Sequence, residues 1–240
     1  MIYPEFSIII LCYKSSYYSE EYLKKVLSVL KLNEILDYEI ILVANYVPNS
    51  DDDTPGIVNS LSEKHKNVYA LTEPKPVYGW LGWDVKKALE KSRGKFVALI
   101  DGDGQMPADD LATCFIHSRE GNYDITMTYR TQRGDGLYRK ALSYSYNLFV
   151  GILFPSCRIK DLNSKPKVMK KSIIKDLNLS SNGWTIDAEI ILQAIKRNVK
   201  IFEIPTSFLG QPGGRKSFVG YKAIIEFMMF IIKLRIFGIK

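Results

Sequence analysis

The chain has 240 residues, 46% of them hydrophobic, which is enough apolar material for a complete core. Its three cysteines, Cys12, Cys114 and Cys157, are odd in number and widely spaced, which argues against a disulfide framework or a zinc site and favours a reduced compartment. The net charge of +7 suits phosphorylated ligands or an anionic membrane surface, and because no DNA- or RNA-binding motif appears, no nucleic-acid partner is expected.

The first 130 residues or so alternate between short apolar runs and segments with helical spacing. Short apolar runs bounded by polar residues are typical of buried strands. The predicted strands are 6–13, 39–44, 67–71, 96–100 and 124–129. The predicted helices start at Ser19 (as N-cap), Thr54, Trp83 and Pro107. This alternation predicts an α/β fold with a mostly parallel, doubly wound sheet.

The pattern changes after Tyr129. The predicted elements there are a basic loop at 130–136, an aromatic-rich helix at 137–153, a strand at 166–169, a helix at 185–197, a strand at 199–204 and a basic loop at 210–216. Trp184, at the head of a helix, is interpreted as a core residue.

The C-terminal segment 221–240 is apolar over most of its circumference on a helical wheel. Glu226, Lys233 and Arg235 lie within it, and such charges argue against a membrane-spanning helix. Two interpretations stay open: a helix of the domain core, or an amphipathic helix in the membrane interface. We therefore expect one domain over residues 1–218, followed by this helix over 219–240.

The stretch FVALIDGDGQ, residues 96–105, is the most informative in the chain. A buried strand ends there in Asp101 and Asp103, with Gly102 and Gly104 interleaved and Gln105 following. In open α/β sheets, ligands bind beyond the carboxyl ends of the strands. Two nearby carboxylates repel each other unless a cation neutralises them, and Mg²⁺ or Mn²⁺ suits such oxygen ligands together with substrate phosphates. The stretch indicates a metal-diphosphate site.

Other interpretations of the same loop compete with the metal site. Asp and Gly are common turn residues, so a simple turn is one alternative. A calcium loop of the EF-hand type needs a bidentate Glu at its twelfth position, where this chain has Ala112. A phosphatase-type Asp-x-Asp site needs Thr or Val where Gln105 stands. The buried strand in front favours the metal site.

Several motifs together resemble the inverting GT-A glycosyltransferases, and most of all the dolichyl- or polyprenyl-phosphate sugar synthases. The segment 101–105 resembles their metal-binding Asp-x-Asp-x-Gln. The other motifs are Gly79-Trp80-Leu81-Gly82 before a helix, Arg130-Thr131-Gln132-Arg133 as acceptor loop, Asp161-Leu162-Asn163-Ser164 near the sugar, and Glu203-Ile204-Pro205 at a strand end. The resemblance covers about residues 6–218 and implies the GT-A (nucleotide-diphospho-sugar transferase) fold.

The resemblance also implies a role for each matching residue. The metal ligands would be Asp101, Asp103 and Gln105; the nucleotide-sugar contacts Cys12, Tyr13, Asn45, Gly79 and Asp101; the acceptor-phosphate contacts Arg130, Arg133 and Arg215; and the catalytic residues Asp103 and Asp161. Asp161 would act as general base if the acceptor is a hydroxyl. A lipid phosphate is already anionic and needs no base.

The chain departs from the family pattern at three places. Residues 11–15 (LCYKS) replace the usual Pro-x-Tyr-Asn-Glu, Ala44-Asn45 replace two acids at the second strand end, and the arginine of the late loop is displaced to Arg215. The metal motif is intact. In the family, the acids at the end of the second strand normally contact the nucleotide base, so the resemblance does not identify the nucleotide of this chain.

The function expected from the resemblance is metal-dependent, inverting sugar transfer from a nucleotide-diphosphate sugar to a polyprenyl phosphate. The first apolar run is preceded by Glu5 and by no basic region, so it does not resemble a signal peptide. The expected location is therefore the cytoplasmic face of a membrane, to which the protein would bind peripherally. The alternatives are a polysaccharide or soluble acceptor, and a non-catalytic nucleotide-sugar-binding scaffold. Oligomerisation stays open.

Overall fold

A seven-stranded sheet forms the centre of the computed structural model, which describes residues 3–75, 80–133, 137–209 and 221–237. The strands are β1 (Phe6–Leu11), β2 (Tyr38–Val43), β3 (Val68–Leu71), β4 (Phe96–Asp101), β5 (Ile125–Arg133), β6 (Lys167–Lys170) and β7 (Ile201–Phe208). Their order is β3-β2-β1-β4-β6-β5-β7. Only β6 runs antiparallel to its neighbours, so the predicted α/β fold with a mostly parallel sheet is confirmed.

Helices cover both faces of this sheet. They are α1 (Tyr18–Leu32), α2 (Thr54–Lys64), α3 (Leu81–Lys91), α4 (Asp109–Glu120), α5 (Leu137–Leu153), α6 (Lys171–Asp176), α7 (Ile186–Lys196) and α8 (Tyr221–Phe237). Because successive side chains of a strand point to opposite faces, β1 contributes to two cores. Phe6, Ile8 and Ile10 pack with α1, α2 and α4, whereas Ile9 and Leu11 pack on the side of α3, α7 and α8.

Strand β5 is longer than the sequence pattern predicts. The basic loop predicted to start at Arg130 is wrong for residues 130–133, because these residues continue β5 and pair with β7. The register shifts between Arg130 and Gln132. A polar strand of this kind depends on its neighbour β7 for pairing, and that partner is not visible in the local pattern.

The start of α1 also differs from the prediction. The helix begins at Tyr18 after Tyr17, and no side chain caps it. Ser19, predicted as the N-cap, is instead buried inside the first turn of the helix. Helix α6 was not predicted, since it is only 6 residues long.

Helix α8 has two apolar faces. Ile231 and Leu234 are buried in the core, and Phe227 contacts Tyr146 of α5 edge-to-face at 5.4 Å between ring centroids. On the other face Ile225 and Met229 are more than half exposed. Core packing and an exposed apolar surface therefore coexist in one helix. Across the described ranges, no helix is both long enough and apolar enough to cross a membrane.

Strands β1 and β4 lie side by side at the point where the strand order reverses. Leu11 is opposite Asp101, and the Gly102 amide donates to the Leu11 carbonyl at 2.9 Å. Chain segments leaving the two strands diverge here, which opens a crevice at their carboxyl ends. The sheet thus places residues 12–13 and 101–105 together.

Two helical glycines provide a test of how closely α3 packs against residues 181–183. In Gly82→Ala of α3 the new Cβ would overlap the Ser181 carbonyl oxygen, so we expect a loss of about 1–3 kcal/mol in the free energy of unfolding. In Gly56→Ala of α2 the Cβ meets nothing within 4 Å, so we expect a gain of about 0.5–1 kcal/mol. Urea unfolding measures both. Equal effects would contradict the close approach of α3 to residues 181–183.

Candidate active site

The loop after β4 carries the carboxylates and is fastened to the end of β7. The Gln105 amide donates to Asp103 Oδ1 at 3.0 Å, and Gly104 adopts a φ of 75°, which favours glycine. The Gln105 side chain is buried, and its Nε2 donates to the Leu209 carbonyl at 3.2 Å. Gln105 therefore anchors the loop, and a role as metal ligand stays a prediction.

The surroundings of Asp103 disfavour its ionised form. Burial, and after it the neighbouring Asp101 carboxylate, raises the pKa of Asp103 to about 6. A raised pKa means that the ionised form of Asp103 is disfavoured in the protein without a further cation. Such a pair of carboxylates is poised to gain from a bound positive charge.

A buried lysine already lies against this pair. The Lys165 ammonium is 3.2 Å from Asp101 Oδ1 and 3.0 Å from Asp187 Oδ2 of α7. The other Asp187 oxygen pairs with Lys167 of β6 at 2.8 Å. The sequence analysis missed these three residues, since no local pattern links them to residue 101.

The charges in this cluster stabilise one another. Burial alone would raise the pKa of Asp187, but Lys165 and Lys167 outweigh it and hold that pKa below its ordinary value. Burial would lower the pKa of Lys165, yet Asp101 and Asp187 raise it above its ordinary value. For Lys167 burial dominates, and its pKa is lowered.

Arg130 and Asp161, predicted to serve in separate roles, are paired with each other. Arg130 Nε donates to Asp161 Oδ2 at 2.6 Å and its Nη2 donates to Oδ1 at 2.8 Å. The guanidinium also lies over the Phe208 ring at 5.3 Å. This two-pronged ion pair joins the end of β5 to the segment before β6, so both residues have a positioning role in the structure.

Asn45, predicted to contact the nucleotide, is buried in a second polar cluster. Its Nδ2 donates to Asp84 Oδ1 at 2.8 Å, and its Oδ1 accepts from the Glu73 amide at 2.6 Å. The other Asp84 oxygen pairs with buried Lys75 at 2.6 Å. These contacts occupy the Asn45 side chain in holding β2, α3 and residues 73–75 together. A nucleotide contact of Asn45 stays a prediction.

Cys12 and Tyr13 follow β1 but differ in exposure. The Cys12 side chain is fully buried, and burial raises the pKa of its thiol to about 12. A nucleotide-sugar contact of Cys12 stays a prediction. Tyr13 is 39% exposed and its ring lies 5.4 Å from the Lys75 ammonium, at the mouth of the crevice. A nucleotide contact of Tyr13 stays a prediction.

The remaining predicted residues are only partly described. Gly79 and Arg215 lie outside the described residues, and Arg133 is described only as a backbone position of β5. Their predicted contacts with nucleotide and acceptor phosphate stay predictions.

Trp184 corrects the expectation that it is a core residue. Its side chain is 42% exposed and lines a cavity of about 510 Å³ with Trp80, residues 180–185 and three residues of α8. Trp184 precedes Thr185, the N-cap of α7, so its side chain does not belong to the buried face of that helix. The α8 residues at this cavity are Glu226, Phe230 and Lys233. The cavity combines indole rings with charged and backbone polar groups.

The sequence of this chain matches a family model for glycosyl transferase family 2 over residues 7–178, more than two thirds of its length. The chain belongs to glycosyltransferase family 2. The match includes β1, β4 and the carboxylate loop, which confirms the suspected family.

Curated relatives of this family-2 chain carry lipid-phosphate names. A dolichyl-phosphate beta-glucosyltransferase from Dictyostelium discoideum is 26% identical over 82% of this chain, and one from Trichomonas vaginalis is 21% identical over 83%. The chain spans 62% of the length of each of these relatives.

Solved structures show the same fold. Glucosyl-3-phosphoglycerate synthase from Mycobacterium tuberculosis, in complex with Mn²⁺, uridine diphosphate and glucosyl-3-phosphoglycerate, superposes with a TM-score of 0.69 at 13% identity. The superposition covers 98% of this chain and 81% of that one. This likeness confirms the GT-A fold.

The carboxylates of this family-2 chain fit a divalent ion that is shared with a substrate. Across the described residues there is no group of three or more His, Cys, Asp or Glu side chains that could hold a metal ion alone. Asp101 and Asp103 supply two oxygen ligands of the kind that Mg²⁺ and Mn²⁺ prefer. Both ions commonly take their remaining ligands from water and phosphate, so a two-carboxylate site is suited to a bound diphosphate.

The pKa of Asp103 predicts how stability depends on pH. Its raised pKa adds stability that is fully present below pH 3.8 and is lost as the pH rises through about 6. At pH 8 without metal, Asp103→Asn should therefore unfold with a free energy about 1–2 kcal/mol higher than the wild type. At pH 3.5 the two proteins should have the same stability.

Urea unfolding at both pH values measures this effect, with Asp51→Asn in an exposed loop as the matched control. Saturating Mn²⁺ should raise the stability of the wild type and leave Asp103→Asn unchanged. Equal stability of wild type and Asp103→Asn at pH 8 would contradict the crowding of the two carboxylates.

Proposed function

We propose that this chain transfers a sugar from a nucleotide-diphosphate sugar to a polyprenyl phosphate, using a divalent ion bound by Asp101 and Asp103. The observation that carries the proposal is the position of this carboxylate pair, at the carboxyl end of β4 where the strand order reverses, in a family-2 chain. The names of the dolichyl-phosphate relatives support the acceptor. The Mn²⁺ and uridine diphosphate bound in the mycobacterial structure support the donor and the ion.

The proposed step is a displacement at the anomeric carbon. An acceptor phosphate oxygen forms the new bond to this carbon from the face opposite the donor diphosphate. The configuration at the anomeric carbon is therefore inverted. The bond from the anomeric carbon to the diphosphate oxygen breaks, and its electron pair leaves with the nucleoside diphosphate. A divalent ion, when bound, stabilises the negative charge on that leaving group.

The chain's own residues bind and orient the reactants in this proposal. Arg130 holds Asp161 in an ion pair, which engages the carboxylate that would otherwise act as general base. This arrangement suits an anionic acceptor, because such a nucleophile requires no proton removal. Asn163 Oδ1 is buried and lacks a hydrogen-bond partner among the described residues, so it is available to accept from a sugar hydroxyl. Trp184 offers an exposed indole face to a sugar ring.

Arg133 and Arg215 remain the proposed phosphate contacts, since a guanidinium can donate two hydrogen bonds to two phosphate oxygens at once. Arg130 is assigned to positioning Asp161 and the end of β5.

Exposed apolar residues on α5 and α8 support a lipid acceptor and a membrane surface. Tyr144, Leu148 and Ile152 recur every fourth residue along α5, and each is more than half exposed. Ile225, Met229 and Ile236 are similarly exposed on α8, which contacts α5. Exposed Lys140, Lys233 and Arg235 on these helices add positive charge that anionic lipids attract. We name these two exposed stripes the apolar face.

Calorimetric titration with uridine and guanosine diphosphates and their sugar conjugates tests the donor site, with and without Mn²⁺. We expect one nucleotide to bind, at least tenfold more tightly with Mn²⁺, and Asp103→Asn to lose this Mn²⁺-dependent gain, because the variant lacks a charged ligand. Asp51→Asn should behave as the wild type. Absence of nucleotide binding under every condition would overturn sugar transfer and leave a scaffold of the same fold.

Flotation with vesicles containing phosphatidylglycerol tests the apolar face. Met229→Glu combined with Ile236→Glu should lower the bound fraction at least tenfold, because two charges replace side chains that would enter the lipid. Leu32→Glu, at a position 77% exposed at the end of α1, is the control and should leave binding unchanged. If the wild type stays unbound while sugar transfer to a soluble phosphate acceptor proceeds, the lipid acceptor is wrong.

A further inference from the structure

Lys165 occupies an unusual position for a charged residue. It lies just before β6, its side chain is 4% exposed, and its ammonium contacts carboxylates from two different elements. A buried ammonium is costly unless it is paired, so these contacts are required for its burial. No motif of the sequence analysis includes Lys165.

The charges around Asp187 leave one positive charge that must be balanced elsewhere. Asp187 carries one negative charge and pairs with two lysines, Lys165 and Lys167, all three of them buried. The remaining positive charge is balanced by Asp101, at 3.2 Å from the Lys165 ammonium. Asp101 is therefore the counter-ion of a buried lysine as well as a proposed ligand of the divalent ion.

The two roles of Asp101 oppose each other. A divalent ion on Asp101 must share this carboxylate with the ammonium, and the two cations repel at this short range. A bound diphosphate offsets this repulsion, because its oxygens carry negative charge and provide further ligands for the ion.

The geometry points to Lys165 as a resident counter-cation that weakens the binding of a divalent ion to the substrate-free protein. The ion then binds firmly only together with the donor diphosphate. This inference rests on the proposed donor site and adds a positioning residue to it, because Lys165 acts through Asp101.

Manganese binding to the substrate-free protein tests the inference. The probe is Mn²⁺ alone at pH 7.5, and the free ion is measured by electron paramagnetic resonance. Lys165→Met, similar in length and uncharged, should bind Mn²⁺ about tenfold more tightly than the wild type, because a nearby positive charge is removed. Lys165→Arg keeps the charge and should retain the wild-type affinity.

Lys170→Met is the matched control. Lys170 ends β6, opposite Phe96 at the start of β4 and so away from residues 101–105, and it pairs with Asp124 at 2.9 Å. Its replacement should change the Mn²⁺ affinity less than twofold. A general effect of net charge would change the affinity in this variant as much as in Lys165→Met.

Lys165→Met should fold, because the Lys167–Asp187 pair remains. If it does not fold, Lys165→Gln, which can still donate to Asp187, replaces it. Mn²⁺ affinity equal to or weaker than that of the wild type in the folded neutral variant would overturn the inference, as would no Mn²⁺ binding by any of these proteins. The titrations contain no nucleotide, so failure of the donor assignment is detected separately, by nucleotide binding in the presence of a chelator.

Discussion

Two carboxylates at the end of a buried strand must be balanced by positive charge, and much of the site is arranged around this requirement. Asp101 ends β4, and Asp103 follows in a loop whose surroundings disfavour its charge. Lys165 supplies part of the balance, and Asp187 of α7 holds the lysine in place. The charge requirement thereby links β4, the segment before β6 and the start of α7.

The same physical rule explains the other polar pairs beside the crevice. Lys75 with Asp84 and Arg130 with Asp161 are largely buried ion pairs, each joining chain segments from different parts of the fold. Removal of one partner would leave an uncompensated buried charge, which is strongly destabilising. These pairs tie segments at the strand ends to one another.

Helix α8 connects the sheet to the surface of the protein. Ile231 and Leu234 anchor it in the core, while its outer stripe and that of α5 form the apolar face. The cavity beside Trp184 is lined in part by the same helix. In the proposed reaction, a helix that borders both this cavity and the apolar face would bring a water-soluble donor and a lipid-borne acceptor together.

Much of the fold and the centre of the site could be predicted from local sequence patterns. Buried strands such as β1 and β4 appear as uninterrupted apolar runs, because both of their faces lack solvent. Asp101 and Asp103 could be assigned to the ligand-binding edge because they directly follow such a strand. The order of the motifs before and after them indicated the family, which the sequence comparison then confirmed.

The sequence patterns could not predict which side chains pair with each other. Arg130 and Asp161 were assigned to two ligands, yet they bind each other, and Asn45 is enclosed by Asp84 and Glu73. The extension of β5 to Arg133 likewise depends on β7. In each case the deciding partner is remote in the chain.

The sequence by itself determined the alternation of strands and helices, the family and the position of the carboxylate pair, because each depends on neighbouring residues or on motifs in a set order. Only the tertiary structure decided which charges meet: Lys165 reaches Asp101 from 64 positions away, and Asp187 joins them from a third element. Such contacts depend on how the elements pack, and a one-dimensional pattern contains no distances between remote residues.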